Sequence, residues 1–399
     1  MMAAIRASQL HQDVTLIEKN SRPGVKLLLS GKGRCNLTNT RDLDSFIERF
    51  SSGGPFLRSA FKKFFHLDLM RFFQTRGLKL KVERQLRVFP ESDRADSILG
   101  VLRKELLKNK IKTFYNVSLK DVILQDKQVK GLLLSDARVM RADKLILATG
   151  GASYSFTGSN ADGIRIAGNL GHQIVGLRPG LVALNVKQGY PRLLQGLTLK
   201  NIRLKFFTEQ KQIISEIGEL LFTDFGISGP LVLSLSGKIA DWLAENKKVS
   251  VEIDLKPALA KEQLDARLLR EFKLNATKNI KNALKALLPL RLVAVFLRLA
   301  DIFSEKKCHQ VSRPERQRIV ALLKALRLDI SGCRPLQEAM ITRGGVSLKE
   351  IDPKTMESRL IKGLYFCGEM IDVDADTGGF NLQAAFSTGY LAGESAALN

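Results

Sequence analysis

Four short segments of this chain carry residue types that could surround a bound ligand. The last runs Gly363-Leu-Tyr-Phe-Cys-Gly368-Glu369, then through Asp372 to Gly378-Gly379-Phe380-Asn381-Leu382. An apolar run that stops at Gly-Glu, a polar loop and a double glycine opening a helix suit a strand delivering the chain to a ligand. Free N–H groups at the helix start would face that ligand, and glycine lets backbone approach it without a Cβ in the way. The segment from Lys26 to Asn39 sets Ser30, Arg34, Asn36 and Asn39 around Gly31 and Gly33. Such a density of donors could wrap a phosphate or the polar edge of a ring. Lys144-Leu-Ile-Leu-Ala-Thr149-Gly150-Gly151 reads as a buried strand ending in Thr-Gly-Gly, as at the carboxyl edge of a parallel sheet. Asp13-Val-Thr-Leu-Ile-Glu18 reads as a buried strand ending in an acid. In a dinucleotide-binding unit an acid about 20 residues beyond the glycine turn bonds the ribose hydroxyls.

Proton transfer needs a further group. Cys35 lies inside the glycine-rich loop and is read either as an acid or as a small buried thiol that shapes the loop. His11, His66, His172 and His309 fall in no catalytic pattern, and Cys367 sits inside an apolar strand as a packing residue. The four cysteines (Cys35, Cys308, Cys333, Cys367) are far apart, with no C-x-x-C pair. That argues against a disulfide framework, a zinc site or a dithiol relay. A reduced, cytoplasmic protein without a metal site is expected. Met1-Met2 leads into Ala3-Ala-Ile-Arg6, without the apolar core of a signal peptide. No apolar run reaches the roughly 18 residues of a membrane span; the stretch from Ala286 to Leu299 is broken by Pro289, Arg291 and Arg298.

The chain has 399 residues, 45% hydrophobic and 26% charged, which suits a soluble globular protein of two or three domains. Its net charge of +23 is unusual and favours polyanions such as nucleic acid or anionic membrane surfaces. From Arg58 to Lys112 there are 15 Lys/Arg against 6 Asp/Glu, and from Lys256 to Arg298 10 against 3. From Ile330 onward the balance is 6 against 9, so the excess lies away from the C-terminal ligand segment. A solvated lysine-rich surface is the other reading, since no RNA-binding motif accompanies the charge.

These segments need elements to position them. Met2 to Leu10 reads as a helix with Ala3, Ala4 and Ala7 on one side, residues 60–112 as basic amphipathic helices, and 116–139 as a β-meander. A helix to Leu170 follows the glycine-rich stretch that ends at Gly163. Strands are expected over 199–208, 213–217, 219–223 and 249–255, with a turn at 225–230 and a helix after it. Residues 256–327 read as helical, punctuated by Pro257, Pro289 and Pro314. The expected class is α/β: a dinucleotide-binding domain in two pieces (1–187 and 331–399), an inserted β-domain (188–255) and a basic helical subdomain (256–330). Counting back from Glu18, the first strand and G-x-G-x-x-G turn of such a domain would lie just before Met1.

Taken together, the stretches 26–39, 146–163, 218–230, 342–348 and 363–393 resemble the YhiN/BaiN/RdsA-like flavoprotein family, in the same order and over essentially the whole chain. The strings Ser-Gly-Lys-Gly-Arg-Cys-Asn-Leu-Thr-Asn and Gly-Gly-Phe-Asn-Leu-Gln carry the resemblance; Ala-Thr-Gly is common to many proteins. The resemblance implies a discontinuous, Rossmann-like FAD domain. It implies that Glu18 holds the adenosine ribose, that Val117 lies against the adenine, and that the loop from Ser30 through Gly31, Gly33 and Arg34 to Asn36 lines the FAD with Thr149, Gly150 and Gly151. Gly368 and Glu369 would contact the ribityl-pyrophosphate region. Gly378, Gly379, Phe380, Asn381 and Leu382 would face the flavin ring, and Lys19, Lys26 and Asp372 complete the implied cofactor-binding set. Three departures stand out. A strand and glycine motif of roughly a dozen residues precede the matching position in the family; Ser155 stands where members often have Pro; Asp224 stands where many have His.

The chemistry implied is hydride transfer to an activated C=C, with the protein placing substrate and proton. No second G-x-G-x-x-G appears, so NAD(P)H is expected only as a transient donor. The resemblance offers uridine in ribosomal RNA, giving dihydrouridine, or a small unsaturated ketone or acid. The basic charge favours RNA. A truncated, inactive form is the remaining alternative.

Overall fold

Short apolar runs that end in glycine or an acid become short strands, and the small-residue runs become closely packed helices. In chain order, the elements used below are α1 (Met2–Gln9), β1 (Thr15–Glu18), β2 (Lys112–Tyr115), β3 (Leu145–Leu147), β4 (Leu184–Val186), β5 (Gly226–Ser228), β6 (Leu326–Cys333), β7 (Leu364–Phe366) and α2 (Phe380–Leu398). The computed structural model describes residues 1–399, the side chain of Ser52 excepted. The chain divides into two compact units, Met1–Gly180 with Leu336–Asn399, and Leu181–Pro335.

In the first unit the chain's two ends build one domain. β1 pairs in parallel with β2, Glu18 opposite Tyr115, and β3 pairs in parallel with β7, Leu147 opposite Phe366. Parallel pairing sends the carboxyl ends of both strands of a pair to the same edge. Glu18 ends β1, Thr149 lies two residues past β3, and Gly368 two residues past β7. A three-stranded antiparallel sheet over 119–141 forms the meander.

The expected helices of 60–112 are present at Arg58–Lys63, His66–Gln74 and Ala95–Lys108, but an antiparallel hairpin, Leu80–Glu83 with Arg87–Pro90, intervenes. It was hidden because its turn uses Gln85 and Leu86, both at φ +61°, where glycine or asparagine would be the usual sign. Thr38–Asn39 joins it as a third strand.

α2 lies along α1. Its buried small residues, Ala384, Ser387, Gly389, Ala392 and Gly393, let the two backbones approach. A Cβ on Gly393 would come within 2.3 Å of the Ala3 carbonyl oxygen, whereas one on Gly389 would meet nothing nearer than 3.7 Å. Arg6 and Lys63 both pair with the buried Glu394 of α2, so the contact also carries a compensated charge.

The second unit holds a seven-stranded antiparallel sheet, in which β5, β4 and β6 are neighbours, and four helices, Pro230–Ala244, Lys261–Leu274, Leu290–Leu299 and Arg313–Lys324. One core joins them: Phe206, Phe222 and Ile253 from the sheet pack with Leu264, Leu268, Leu292, Phe296 and Leu323 from the helices. The β-rich 188–255 and helical 256–330 thus share a single interior, and the unit runs from Leu181 to Pro335. Helix gives way to β6 at Leu326, where Leu328 and Ile330 alternate with exposed or half-exposed residues. The expected turn at 225–230 contains β5, whose one apolar side chain, Ile227, is too little to show a period. Among the described residues no helix is long and apolar enough to cross a membrane.

Gly393→Ala is expected to destabilise the protein by about 1–3 kcal/mol, because its Cβ meets backbone that cannot yield. Gly389→Ala, with room for its methyl, is expected to be neutral or stabilising by up to about 1 kcal/mol. Denaturant unfolding of the two variants measures the difference.

Candidate functional site

The Ser30–Asn39 segment and the start of α2 are built into each other. The Asn36 amide, in the orientation that satisfies both its atoms, accepts from Gly379 N at 3.1 Å and donates to Thr38 O at 3.2 Å. Asn39 Nδ2 donates to Gly378 O at 3.1 Å and to Gln85 O at 3.0 Å. Thr38 Oγ1 donates to Gln383 Oε1 at 2.6 Å. Gly379 has φ +96°, and a Cβ there would lie 2.5 Å from the Thr38 carbonyl carbon, so no other residue fits.

Phe380 and Asn381 hold this turn from behind. Phe380 is buried edge-on against Phe46, ring centres 4.8 Å apart. Asn381 Nδ2 donates to Ala375 O at 2.8 Å while its Oδ1 accepts from Ala375 N at 3.0 Å. Leu382 packs beside the apolar cluster of Leu37, Phe73 and Phe386. No side chain caps α2, so its first N–H groups remain available.

Two residues of the loop are committed elsewhere. Arg34 donates from Nε to Asp93 at 2.8 Å, pairs with Glu83, and lies 4.2 Å over the Phe89 ring, so its guanidinium braces the 80–90 hairpin. Cys35 is fully buried, donates its N–H to Ser30 O at 2.9 Å, and burial pushes its thiol up to about 11. Ser30 Oγ donates to Leu27 O at 2.6 Å, closing the turn locally.

The second cluster centres on Glu369. Its Oε1 accepts from Thr342 N at 2.7 Å and Ser153 Oγ at 2.9 Å, and its Oε2 pairs with Lys26 Nζ at 2.5 Å. Lys26 also donates to Ser153 Oγ at 2.7 Å. Thr342 Oγ1 accepts from Ala152 N at 2.8 Å and Ser153 N at 3.0 Å. One threonine therefore fastens the chain just past Gly150-Gly151 to the carboxylate after β7. Gly151 faces it so closely that a Cβ would lie 2.2 Å from Thr342 Oγ1. Ser153 and Thr342 were not singled out in the sequence; only the glycines beside Thr342, Gly344-Gly345, gave a sign.

Around Glu18 the contacts are looser. Its Oε1 accepts from Asn20 N at 2.9 Å, Lys19 Nζ pairs with Asp162 at 2.9 Å, and Asn20 Nδ2 donates to Thr157 O at 3.0 Å. Val117 is buried with Leu132 and Leu134, and its N–H donates to Glu18 O at 3.3 Å. Thr149 Oγ1 lies 3.9 Å from Met370 Sδ. Burial raises the Asp372 carboxyl, and Asp374 adds to the rise.

The glycines sort by what they face. Gly31, Gly151 and Gly379 each press on protein atoms within 2.7 Å of where a Cβ would be. Gly33 (φ +84°), Gly150 (φ +77°) and Gly368 (φ +74°) are not crowded: the nearest atoms to a Cβ there would be at ordinary contact distances of 4.0, 3.5 and 3.9 Å, and their positive φ is what favours glycine. One such glycine comes from each of three segments. A cradle without Cβ atoms, with Glu18, Glu369 and the uncapped start of α2, fits an elongated dinucleotide such as FAD, bound through backbone and hydroxyl-binding carboxylates. Among the described residues no cluster of His, Cys, Asp or Glu could hold a metal ion. His172 is a core residue, its ring nitrogens 2.8 Å from Ser358 Oγ and 3.2 Å from Ala167 O.

Thr342→Val removes the acceptor for two N–H groups and is expected to destabilise the protein by about 1–3 kcal/mol, with Thr342→Ser recovering most of the loss; denaturant titration reads both. A raised carboxyl means that the folded state holds the Asp372 proton more tightly than the unfolded chain, so stability falls as pH rises through the raised pKa. Asp372→Asn is therefore expected to melt above wild type at neutral pH. The gain should vanish in acid below the ordinary aspartate value of 3.8, which thermal melts against pH would show.

The HI0933-like protein Rossmann domain family matches residues 1–395. A 3-dehydro-bile acid delta(4,6)-reductase of Clostridium scindens is 31% identical over 401 residues, covering 100% of this chain and 96% of the relative. A ribosomal RNA dihydrouridine synthase of Escherichia coli is 30% identical over 394 residues, covering 98% of this chain and 93% of the relative. Among solved structures, a 3-ketosteroid delta1-dehydrogenase of Sterolibacterium denitrificans aligns with a TM-score of 0.51 at 11% identity, over 99% of this chain and 97% of its own, a likeness of fold. The chain belongs to the family of HI0933-like Rossmann-domain proteins and is an oxidoreductase of the flavoprotein type.

Proposed function

We propose that this protein uses FAD to reduce a C=C bond conjugated to a carbonyl, and that its substrate is uridine in ribosomal RNA. The observation that carries the reaction is the pair of relatives spanning nearly the whole chain. One is named for a delta(4,6) reduction and the other for making dihydrouridine, and both products arise by adding two hydrogens across a C=C.

FAD, when bound, supplies the hydride. Gly33, Gly150 and Gly368 would give it close backbone approach, Glu18 would take the ribose hydroxyls, and Glu369, held by Lys26, Ser153 and Thr342, would take the ribityl hydroxyls. The uncapped N–H groups at the start of α2 would favour negative charge held beside them. Val117, Lys19 and Asp372 lie at the margins of this site. Cys35 serves packing in this scheme, because a fully buried thiol raised to about 11 is a poor match for proton donation near neutrality. A nicotinamide cofactor, binding transiently, would supply the electrons, and a cytoplasmic setting, where ribosomal RNA is, suits this reading.

The charge favours RNA over a small acid. The net +23 divides between both units: 27 Lys/Arg against 15 Asp/Glu in 181–335, and 36 against 25 in the remainder. Neutralised phosphates give binding that needs no sequence motif and weakens steeply with salt. The bile-acid reductase relative supports a second reading, reduction of a small unsaturated acid.

Deleting the gene is expected to remove dihydrouridine from one ribosomal RNA position, read by mass spectrometry of the digested RNA. Unchanged dihydrouridine, together with turnover of a free unsaturated acid that RNA does not affect, would favour the second reading.

A further inference from the structure

The first unit carries a basic groove at the end of its sheet away from Glu369. Lys144 precedes β3 and Lys362 stands two residues before β7, so both lie at the amino edge of this parallel pair. Thr149 and Gly368, at the candidate site, follow the carboxyl ends of the same strands. The groove, about 510 Å3 in volume, is lined by Lys127, Lys144, Arg359 and Lys362, with Asp126 and Glu357 as its acidic side chains. A second groove of about 360 Å3 is lined by Lys62 and Lys354 and shares Asn399 with the first. Its acid, Glu394, is already paired with Arg6 and Lys63. The two adjoin as one concave track within the unit.

Backbone bonds hold the roots of these cations together. Asp126 and Lys127 form the tip of the hairpin between Leu119–Gln125 and Gln128–Leu134. Lys362 N donates to Lys127 O at 2.9 Å, and Val129 N donates to Lys362 O at 3.0 Å. Leu145 N donates to Gly363 O at 2.8 Å, which brings Lys144 in beside them. Among the described residues, Lys127, Lys144 and Lys362 have no acid within ion-pair distance. Glu357 is engaged by the chain itself, accepting from Gly363 N at 2.7 Å. That leaves Asp126 and the chain-end carboxylate of Asn399 against four cations.

Charge is also sorted along the last segment. From Ile330 onward there are 6 Lys/Arg against 9 Asp/Glu, yet Lys354, Arg359 and Lys362 all precede β7 and line the track. Glu369, Asp372, Asp374 and Asp376 follow β7, toward the candidate site. Lysine is a point charge without a fork for a single phosphate. Affinity on such a track therefore builds over several phosphates in a row.

We propose that this track is a docking surface for the sugar-phosphate backbone of RNA, which it holds outside the nucleotide that reacts. The proposal rests on the reading of the protein as an RNA uridine reductase. Concavity favours a strand, because a flat lipid surface would reach the rim of the groove and not its floor. Phosphate contacts position and carry no sequence information, so base choice stays with the site at the other edge of the sheet.

The test uses the FAD-loaded full chain and large-subunit ribosomal RNA from a strain lacking the gene. Dissociation constants are measured over a salt series for wild type and for Lys127→Gln/Lys144→Gln/Lys362→Gln. A control, Arg103→Gln/Lys104→Gln/Lys108→Gln, removes the same charge from exposed positions on the helix Ala95–Lys108. The groove variant should bind at least about tenfold more weakly, and the slope of log affinity against log salt should fall by about 2, since each phosphate contact contributes about 0.7–0.9. Its flavin absorbance should match wild type, and the control should shift far less. Equal losses in the two variants, or none in the groove variant, would overturn the docking surface while leaving RNA as substrate. Loss of binding to phosphatidylglycerol vesicles with RNA binding kept would overturn it in favour of a membrane. A wild type that does not bind the RNA yet reduces an unsaturated acid would overturn the RNA reading itself.

Discussion

Backbone approaching backbone more closely than any side chain allows is the constraint on which the first unit depends. Gly379 sits on the Thr38 carbonyl and Gly393 on the Ala3 carbonyl, both within 2.5 Å of where a Cβ would be. These contacts join residues more than 300 positions apart and make one domain from the two ends of the chain. The remaining bonds follow from that approach. Asn36 reaches Gly379 N only because the turn is already close, and Thr38 can then meet Gln383. The same economy of side chains leaves the α2 start without a side-chain cap.

Polar groups at this site are arranged by what holds them as much as by what they face. Glu369 accepts three donors from three segments, so its carboxylate is oriented before any ligand arrives. Such preorganisation lowers the ordering cost of binding. Arg34, the most obvious phosphate-binding side chain in the glycine loop, is instead engaged by Glu83 and Asp93. The features here suited to an anion and already fixed by the fold are backbone N–H groups and the helix dipole.

Much of this was legible in the chain. The strands before Thr149 and Glu369 and the one ending in Glu18 were visible because apolar runs stopped at chemically distinct residues, and the meander and α1 showed their periods. The 80–90 hairpin was not, since Gln85 and Leu86 take left-handed conformations that their residue types do not advertise. Ser153 and Thr342 stayed hidden for a different reason. Their importance lies in hydrogen bonds across nearly 190 residues of sequence, and neither type nor spacing encodes such a bond. Phe380 shows the converse. It sits within a motif that looks ligand-facing, yet its ring is core.

The bulge in β6 shows how a sheet can acquire a polar point without losing its core. Leu326, Leu328 and Ile330 keep strict alternation into the interior, and a single extra residue then reverses the phase. Without it, Gly332 would face the core, and a different residue of β6 would stand beside Asn185. Because the period of a strand is two, inserting one residue is the smallest change that converts a packing position into an open one. The place of Gly332 beside Asn185 is thus a product of register.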